Sequence, residues 1–191
     1  MKFNEMPYLR PDSEAVKQTM ASLTERLRAA ASYIEARSVF MEVEEEMKRF
    51  TTMSQLTSVR HSIDTRDEFY SDENDFYDES EPLFREKAQE YLTALVNKID
   101  ELGIREKCIF HISDEPNRDM IDNYMKARLA VKEKLAGFPI VDALSDLELY
   151  KSGAVEKPVP SNNHIKPFLD ENIPDLWTYY CIGQFKDVAN T

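Results

Sequence analysis

Cysteine, tryptophan and histidine are scarce in this 191-residue chain, which has two, one and three of them. Cys108 and Cys181 each sit inside an apolar run, where free thiols are commonly buried. Two distant cysteines define neither a disulfide framework nor a metal site. No apolar run approaches the roughly 20 residues needed to span a bilayer. The first residues lack the basic region and apolar core of a signal peptide. Positive charge is also short, with 24 Lys and Arg against 36 Asp and Glu and a net charge of −12. An acidic surface repels phosphate backbones and anionic lipid, which excludes nucleic acid and membrane as expected partners. Together these absences describe a cytoplasmic protein.

A globular chain remains. Hydrophobic residues make up 42% and aromatics 10%, enough to bury a core in one domain or two small ones. The acid is concentrated early: residues 1–100 hold 13 basic against 21 acidic side chains. Asp12 or Ser13 can cap a first helix, along which Val16, Met20, Leu23, Leu27, Ala30 and Ile34 recur at spacings of three and four. A second helical pattern runs through Val39, Val43, Met47 and Phe50 towards Val59, with Glu42, Glu44, Glu45 and Glu46 on a solvated face. Arg60, His61, Asp64 and Asp67 read as a polar junction held by salt bridges. Phe69 and Phe76, and Tyr70 and Tyr77, are seven apart, which predicts aromatic packing with the intervening acids facing water. A fourth helix is expected to begin near Pro82. Its stripe runs through Phe84, Tyr91, Leu95 and Ile99, and Gly103 closes it.

After Gly103 the pattern changes. Cys108-Ile-Phe-His-Ile112 reads as a buried strand. Asn117 or Asp119 caps a helix reaching Leu135, and Phe138-Pro-Ile-Val-Asp142 is a second strand. A short helix covers Asp146 to Tyr150, Lys157-Pro-Val-Pro-Ser161 is a loop, and Asp175 to Cys181 forms a third strand. Strands separated by helices argue for parallel β-α units. The fold class expected is therefore mixed α and α/β: an N-terminal helical bundle followed by β-α-β-α-β units. In such folds the loops after the strands carry the chemistry, and Asp114 and Glu115 fall there. Two adjacent carboxylates resist joint ionisation, so one should keep a proton. A proton donor beside a persistent carboxylate suits glycosidic cleavage, although Asp-Glu-Pro after a strand also serves as a helix start.

Two resemblances add to this. Met1-Lys-Phe-Asn-Glu, Tyr8-Leu-Arg-Pro, Thr57-Ser-Val-Arg-His-Ser-Ile-Asp-Thr-Arg-Asp-Glu-Phe-Tyr70 and Asn74-Asp-Phe-Tyr-Asp-Glu79 resemble the N-terminal helical region of oligoendopeptidase F-type zinc metallopeptidases. The likeness covers about residues 1–97. It implies a helical scaffold without the peptidase site, because that family's zinc is held by a His-Glu-x-x-His helix and a later glutamate. His61, His111 and His164 form no such motif, so no metal ligand and no cofactor is expected here. Phe110-His-Ile-Ser-Asp-Glu-Pro116, Gly137-Phe-Pro-Ile-Val-Asp-Ala-Leu-Ser-Asp146 and Pro174-Asp-Leu-Trp-Thr-Tyr-Tyr-Cys181 resemble a domain family similar to the substrate-assisted β-N-acetylgalactosaminidases of glycoside hydrolase family 123. That likeness covers about residues 98–191 and implies part of a TIM-like barrel.

Carried over, Glu115 would be the general acid and Asp114 would orient the 2-acetamido group whose oxygen attacks the anomeric carbon. Trp177 and Tyr180 would stack on or hydrogen-bond a sugar, and Asp142 and His164 would line a subsite. Carbohydrate is the ligand so implied. The main expectation is a glycosidase-like protein. One alternative is a fragment or hybrid of an oligoendopeptidase F-type metallopeptidase without its metal site, and another is a non-catalytic helical interaction protein. Each half lacks parts of the enzyme it resembles.

Overall fold

A computed structural model describes residues 6–113 and 115–179. By its internal contacts the chain divides into two units, Met1–Gly103 and Ile104–Thr191. The division falls six residues beyond the boundary read from the sequence.

The first unit is a bundle of three helices: α1 (Ser13–Ala29), α2 (Tyr33–Ile63) and α3 (Glu68–Glu101). Each starts at a side-chain cap. Asp12 accepts the Glu14 and Ala15 N–H groups, Ser32 accepts that of Glu35, and Asp67 accepts that of Phe69. The Glu35 carboxylate also reaches back to the Ala31 N–H at 2.8 Å, so two orphan donors at the start of α2 are satisfied locally. The links 30–32 and 64–67 are short, and each helix packs on both others. The periodic residues of α1 meet Ala36, Val39 and Val43 of α2 and Tyr91 and Ala94 of α3 in one core.

Four helices were expected in this unit, and three are found among the described residues. The stretch from Glu68 through Pro82 to Glu101 is a single helix. Proline inside a helix removes a hydrogen bond and costs about 3 kcal/mol. Pro82 is exposed, so water can reach the carbonyl it leaves unpaired. Tyr77 and Tyr91, buried on either side of it, hold both halves of the helix on the bundle. Ile34, expected on the apolar face of the first helix, opens α2 instead and is exposed.

The expectation that all the acids between Phe69 and Tyr77 face water fails at Glu73, which is 3% exposed. Arg10 grips its carboxylate with Nε and Nη2, at 2.9 and 2.5 Å, and the Tyr8 hydroxyl donates to it as well. Arg60 of α2 donates to the Met6 carbonyl and the Tyr70 hydroxyl, so the segment before α1 is strapped to α3 through Glu73 and to α2 through Arg60. At the polar junction, Arg66 pairs with Asp64 at 3.0 Å, while Asp67 serves as a cap and Arg60 turns to the strap. A second buried charge, Lys98, donates to the Ala30 carbonyl at 2.7 Å, where α1 ends, and pairs with Glu101.

The second unit contains short parallel β-α connections: α4 (Ile121–Val131), β1 (Val141–Ala143), α5 (Leu147–Lys151), β2 (Lys157–Val159) and α6 (Ile165–Asp170). β1 and β2 pair in parallel with Val141 opposite Lys157 and Ala143 opposite Val159. A parallel bridge sets Phe110 beside Ile140, and another sets Ser161 beside Tyr179. Parallel pairing across β-α links is as the sequence predicts. A TIM-like barrel is not: among the described residues the sheet has two strands. The Pro-rich stretch expected as a loop supplies β2. Its prolines fit because Val159 uses its carbonyl, which accepts the Leu144 N–H at 3.1 Å. Asn117 is the cap chosen before α4. That helix ends at Val131, short of Leu135, and Gly137 turns the chain with a φ of +82°. The third expected strand is represented by Tyr179, and Cys181 lies outside the described residues. Tyr124, Leu144, Leu149 and Val155 form this unit's core, and Phe168 is fully buried.

The Glu73 clasp makes the stability of the bundle depend on pH. Arg10, outweighing burial, holds the Glu73 carboxyl below its usual value of 4.5. A depressed carboxyl contributes stability that is complete above the unfolded value, and this is lost as pH falls through the folded one. Glu73→Gln should therefore flatten the decline in urea midpoint between about pH 6 and pH 3. At neutral pH Glu73→Ala should cost about 2 kcal/mol, since it strands Arg10 and Tyr8. An undiminished acid slope in Glu73→Gln would show that the clasp is not the titrating element.

Candidate functional site

Parallel β-α arrangements present their chemistry beyond the carboxyl ends of the strands. In the second unit the described residues there are led by Asp142, at the middle of β1. Its side chain is 0% exposed. A bare buried carboxylate is costly, and this one is surrounded by donors. Oδ1 accepts the N–H groups of Ile112 at 2.7 Å and Ser113 at 3.1 Å. Oδ2 accepts the Tyr124 hydroxyl at 2.7 Å, and burial first, then Asp142, pushes that phenol well above its ordinary range. The His111 Nδ1 lies 2.9 Å from Oδ1. Asp142 thus ties the segment after Phe110, the strand β1 and the helix α4 together. The sugar-subsite role expected for Asp142 does not fit this place, because the carboxylate is enclosed and occupied by the protein's own donors.

Glu115 is exposed and has a φ of +43°, a left-handed conformation that non-glycine residues rarely adopt. It makes no hydrogen bond or ion pair among the described residues, and Asp114 lies outside them. His164 ends a short 3-10 turn just before α6. Its Nδ1 is 2.8 Å from the Ser161 Oγ, which is itself 3.3 Å from the Ser145 Oγ. Trp177 is 46% exposed, with the Lys157 ammonium 4.8 Å from its ring centre. Tyr180 lies outside the described residues. No contact joins Glu115, His164 and Trp177 among the described residues, whereas Asp142 is drawn to His111 and Tyr124. Sequence reasoning assigned no role to either of those partners. The available signal was an aspartate inside an apolar strand, which demands donors from its neighbours.

The family model for the peptidase M3 N-terminal domain matches residues 3–113, more than half of the chain. The chain belongs to this family. Solved structures agree. A protein described as an oligoendopeptidase F is 29% identical over 69% of this chain, with a TM-score of 0.55. PZ peptidase A with an inhibitor is 29% identical over 70%, with a TM-score of 0.50. The M3 N-terminal chain spans 21% of the length of each. No curated protein matches it. These findings bear out the peptidase resemblance and overturn the glycosidase reading. The matched region runs through Phe110-His-Ile-Ser113, the lead-in to the acid pair on which glycosidic cleavage was to rest. The roles of general acid for Glu115 and acetamido orienter for Asp114 fall with that reading, as do the sugar contacts of Trp177 and Tyr180 and the subsite role of His164.

The zinc that the M3 family implies does not fit these residues. Among the described residues no group of three or more His, Cys, Asp or Glu is placed to hold a metal, and the three histidines form no His-Glu-x-x-His motif. Nor is any described helix long and apolar enough to cross a membrane.

The Asp142 cluster predicts a graded pair of stability losses. Asp142→Ala leaves two backbone donors and the Tyr124 hydroxyl without a partner, and should cost about 3 kcal/mol in urea unfolding. Tyr124→Phe removes one hydroxyl donor and should cost about 1 kcal/mol. Equal losses in the two variants would count against Asp142 as the hub.

Proposed function

We propose that Met1–Gly103 is a non-catalytic helical scaffold of the M3 oligopeptidase type. It works beside a zinc-bearing catalytic domain that these 191 residues do not contain. The observation that carries this is the family match over residues 3–113 in a chain whose sequence has no His-Glu-x-x-His motif. The two solved relatives, a described oligoendopeptidase F and PZ peptidase A, support peptides as the substrates of the complete enzyme. The bundle's build suits a supporting role. Its buried charges, Glu73 and Lys98, are consumed in tying α1 and the segment before it to the long α3. A cytoplasmic setting belongs to the same reading.

The test uses the purified chain and the catalytic part of an oligoendopeptidase F lacking its own N-terminal region. Alone, the chain should retain no zinc by elemental analysis and should not cleave a quenched fluorescent oligopeptide. Mixed with the catalytic part, it should bind and raise cleavage. Stoichiometric zinc with cleavage by the chain alone would overturn the reading, as would a catalytic part that neither binds the chain nor responds to it.

A further inference from the structure

We propose that the second unit carries an acid–base site of its own, whose working atom is Nε2 of His111 and whose positioning residue is Asp142. The peptidase reading of Met1–Gly103 does not use these residues.

The neighbours of the ring fix where its hydrogens must be. Nδ1 of His111 faces two acceptors, the Asp142 carboxylate at 2.9 Å and the Val141 carbonyl at 3.3 Å. An atom between two acceptors must carry the hydrogen, so the neutral ring is the Nδ1–H tautomer and Nε2 holds the free lone pair. The carboxylate cannot swing away to release the ring. It is 0% exposed, and the Ile112 and Ser113 N–H groups and the Tyr124 hydroxyl hold both its oxygens. The imidazole itself is 54% exposed, and Nε2 has no partner among the described residues. The result is a partly exposed imidazole whose tautomer is set by the Val141 carbonyl beside the buried Asp142 carboxylate, with Nε2 unpartnered among the described residues. It stands one residue beyond the parallel bridge at Phe110, at the strand end where ligands bind in parallel β-α folds.

Structure alone does not require this exposure. Tyr124 and the two backbone N–H groups would satisfy Asp142 without a histidine. The ring adds a basic nitrogen at the surface in a fixed orientation. The ligand class is a proton donor, either a hydroxyl or a water poised beside an acyl carbon. Nε2 takes the proton as the oxygen bonds to that carbon, and returns it to the leaving oxygen as the old ester bond breaks. Ester and water give acid and alcohol, with no oxidant or further reactant.

Histidine-selective NMR on the full chain should show His111 as the Nδ1–H tautomer in the neutral form. The reactivity probe is ethyl dichloroacetate, whose ethoxide leaves too poorly for direct attack by imidazole, so that an unprotonated imidazole nitrogen acts on it as the general base for water. His111→Gln should lower its hydrolysis about ten-fold or more. His164→Gln, which removes a ring backed by the Ser161 hydroxyl instead of a carboxylate, should change it less than two-fold. Asp142→Asn, which removes the charge beside the ring while the Val141 carbonyl still accepts from Nδ1, should keep the tautomer and lower the hydrolysis. If that variant fails to fold, the wild-type tautomer and the exposed His111→Gln still decide the matter. An Nε2–H tautomer in the wild type, or His111→Gln hydrolysing at the wild-type rate, would overturn the site while leaving the peptidase reading untouched.

Discussion

The first unit depends on the unbroken apolar stripe of α3. Tyr77, Phe84, Tyr91, Leu95 and Ile99 follow one another at spacings of seven and four along a helix of 34 residues. Helices are held chiefly by packing of such a face and not by propensity. Here the packing is strong enough to carry the helix through Pro82. Once α3 is continuous, α1 and α2 have a common surface, and the short links between helices follow from that geometry.

Buried charge plays a different part in each unit. Glu73 and Lys98 in the first are long side chains whose charged ends reach a guanidinium, a phenol or a helix-ending carbonyl. They join segments far apart in sequence. In the second unit Asp142 joins three elements at one point, and the His111 ring beside it is still open to solvent. The first arrangement is complete in itself. The second leaves a basic nitrogen unused, and so it supports a chemical proposal where the acidic surface of the bundle does not.

The correction at Asp114 and Glu115 shows how a local pattern can mislead. Two acids after an apolar strand are compatible with general acid catalysis, with a helix start, or with a turn. Proximity in sequence says nothing of what faces them in space. The family match runs through the preceding strand residues and assigns the chain to the peptidase M3 N-terminal domain family, and Glu115 stands exposed at a positive φ without a partner among the described residues. The strand before the acids contributes His111 instead.

The helical character of the first hundred residues, the lack of a zinc motif and the parallel β-α grammar after Gly103 are legible in the chain before it folds. Each of these is written in local spacing: apolar residues at three and four, caps at Asp12 and Asp67, and strands separated by helices. That Pro82 lies within a helix, that Glu73 is buried, that Lys157 to Val159 is a strand and that Asp142 faces inward emerges once the chain is packed. Those outcomes turn on partners distant in sequence. Arg10 reaches Glu73 across 63 positions, and His111 and Asp142 stand 31 apart by their own numbers. A side chain's own neighbours in the chain do not say whether it will meet water or a charge.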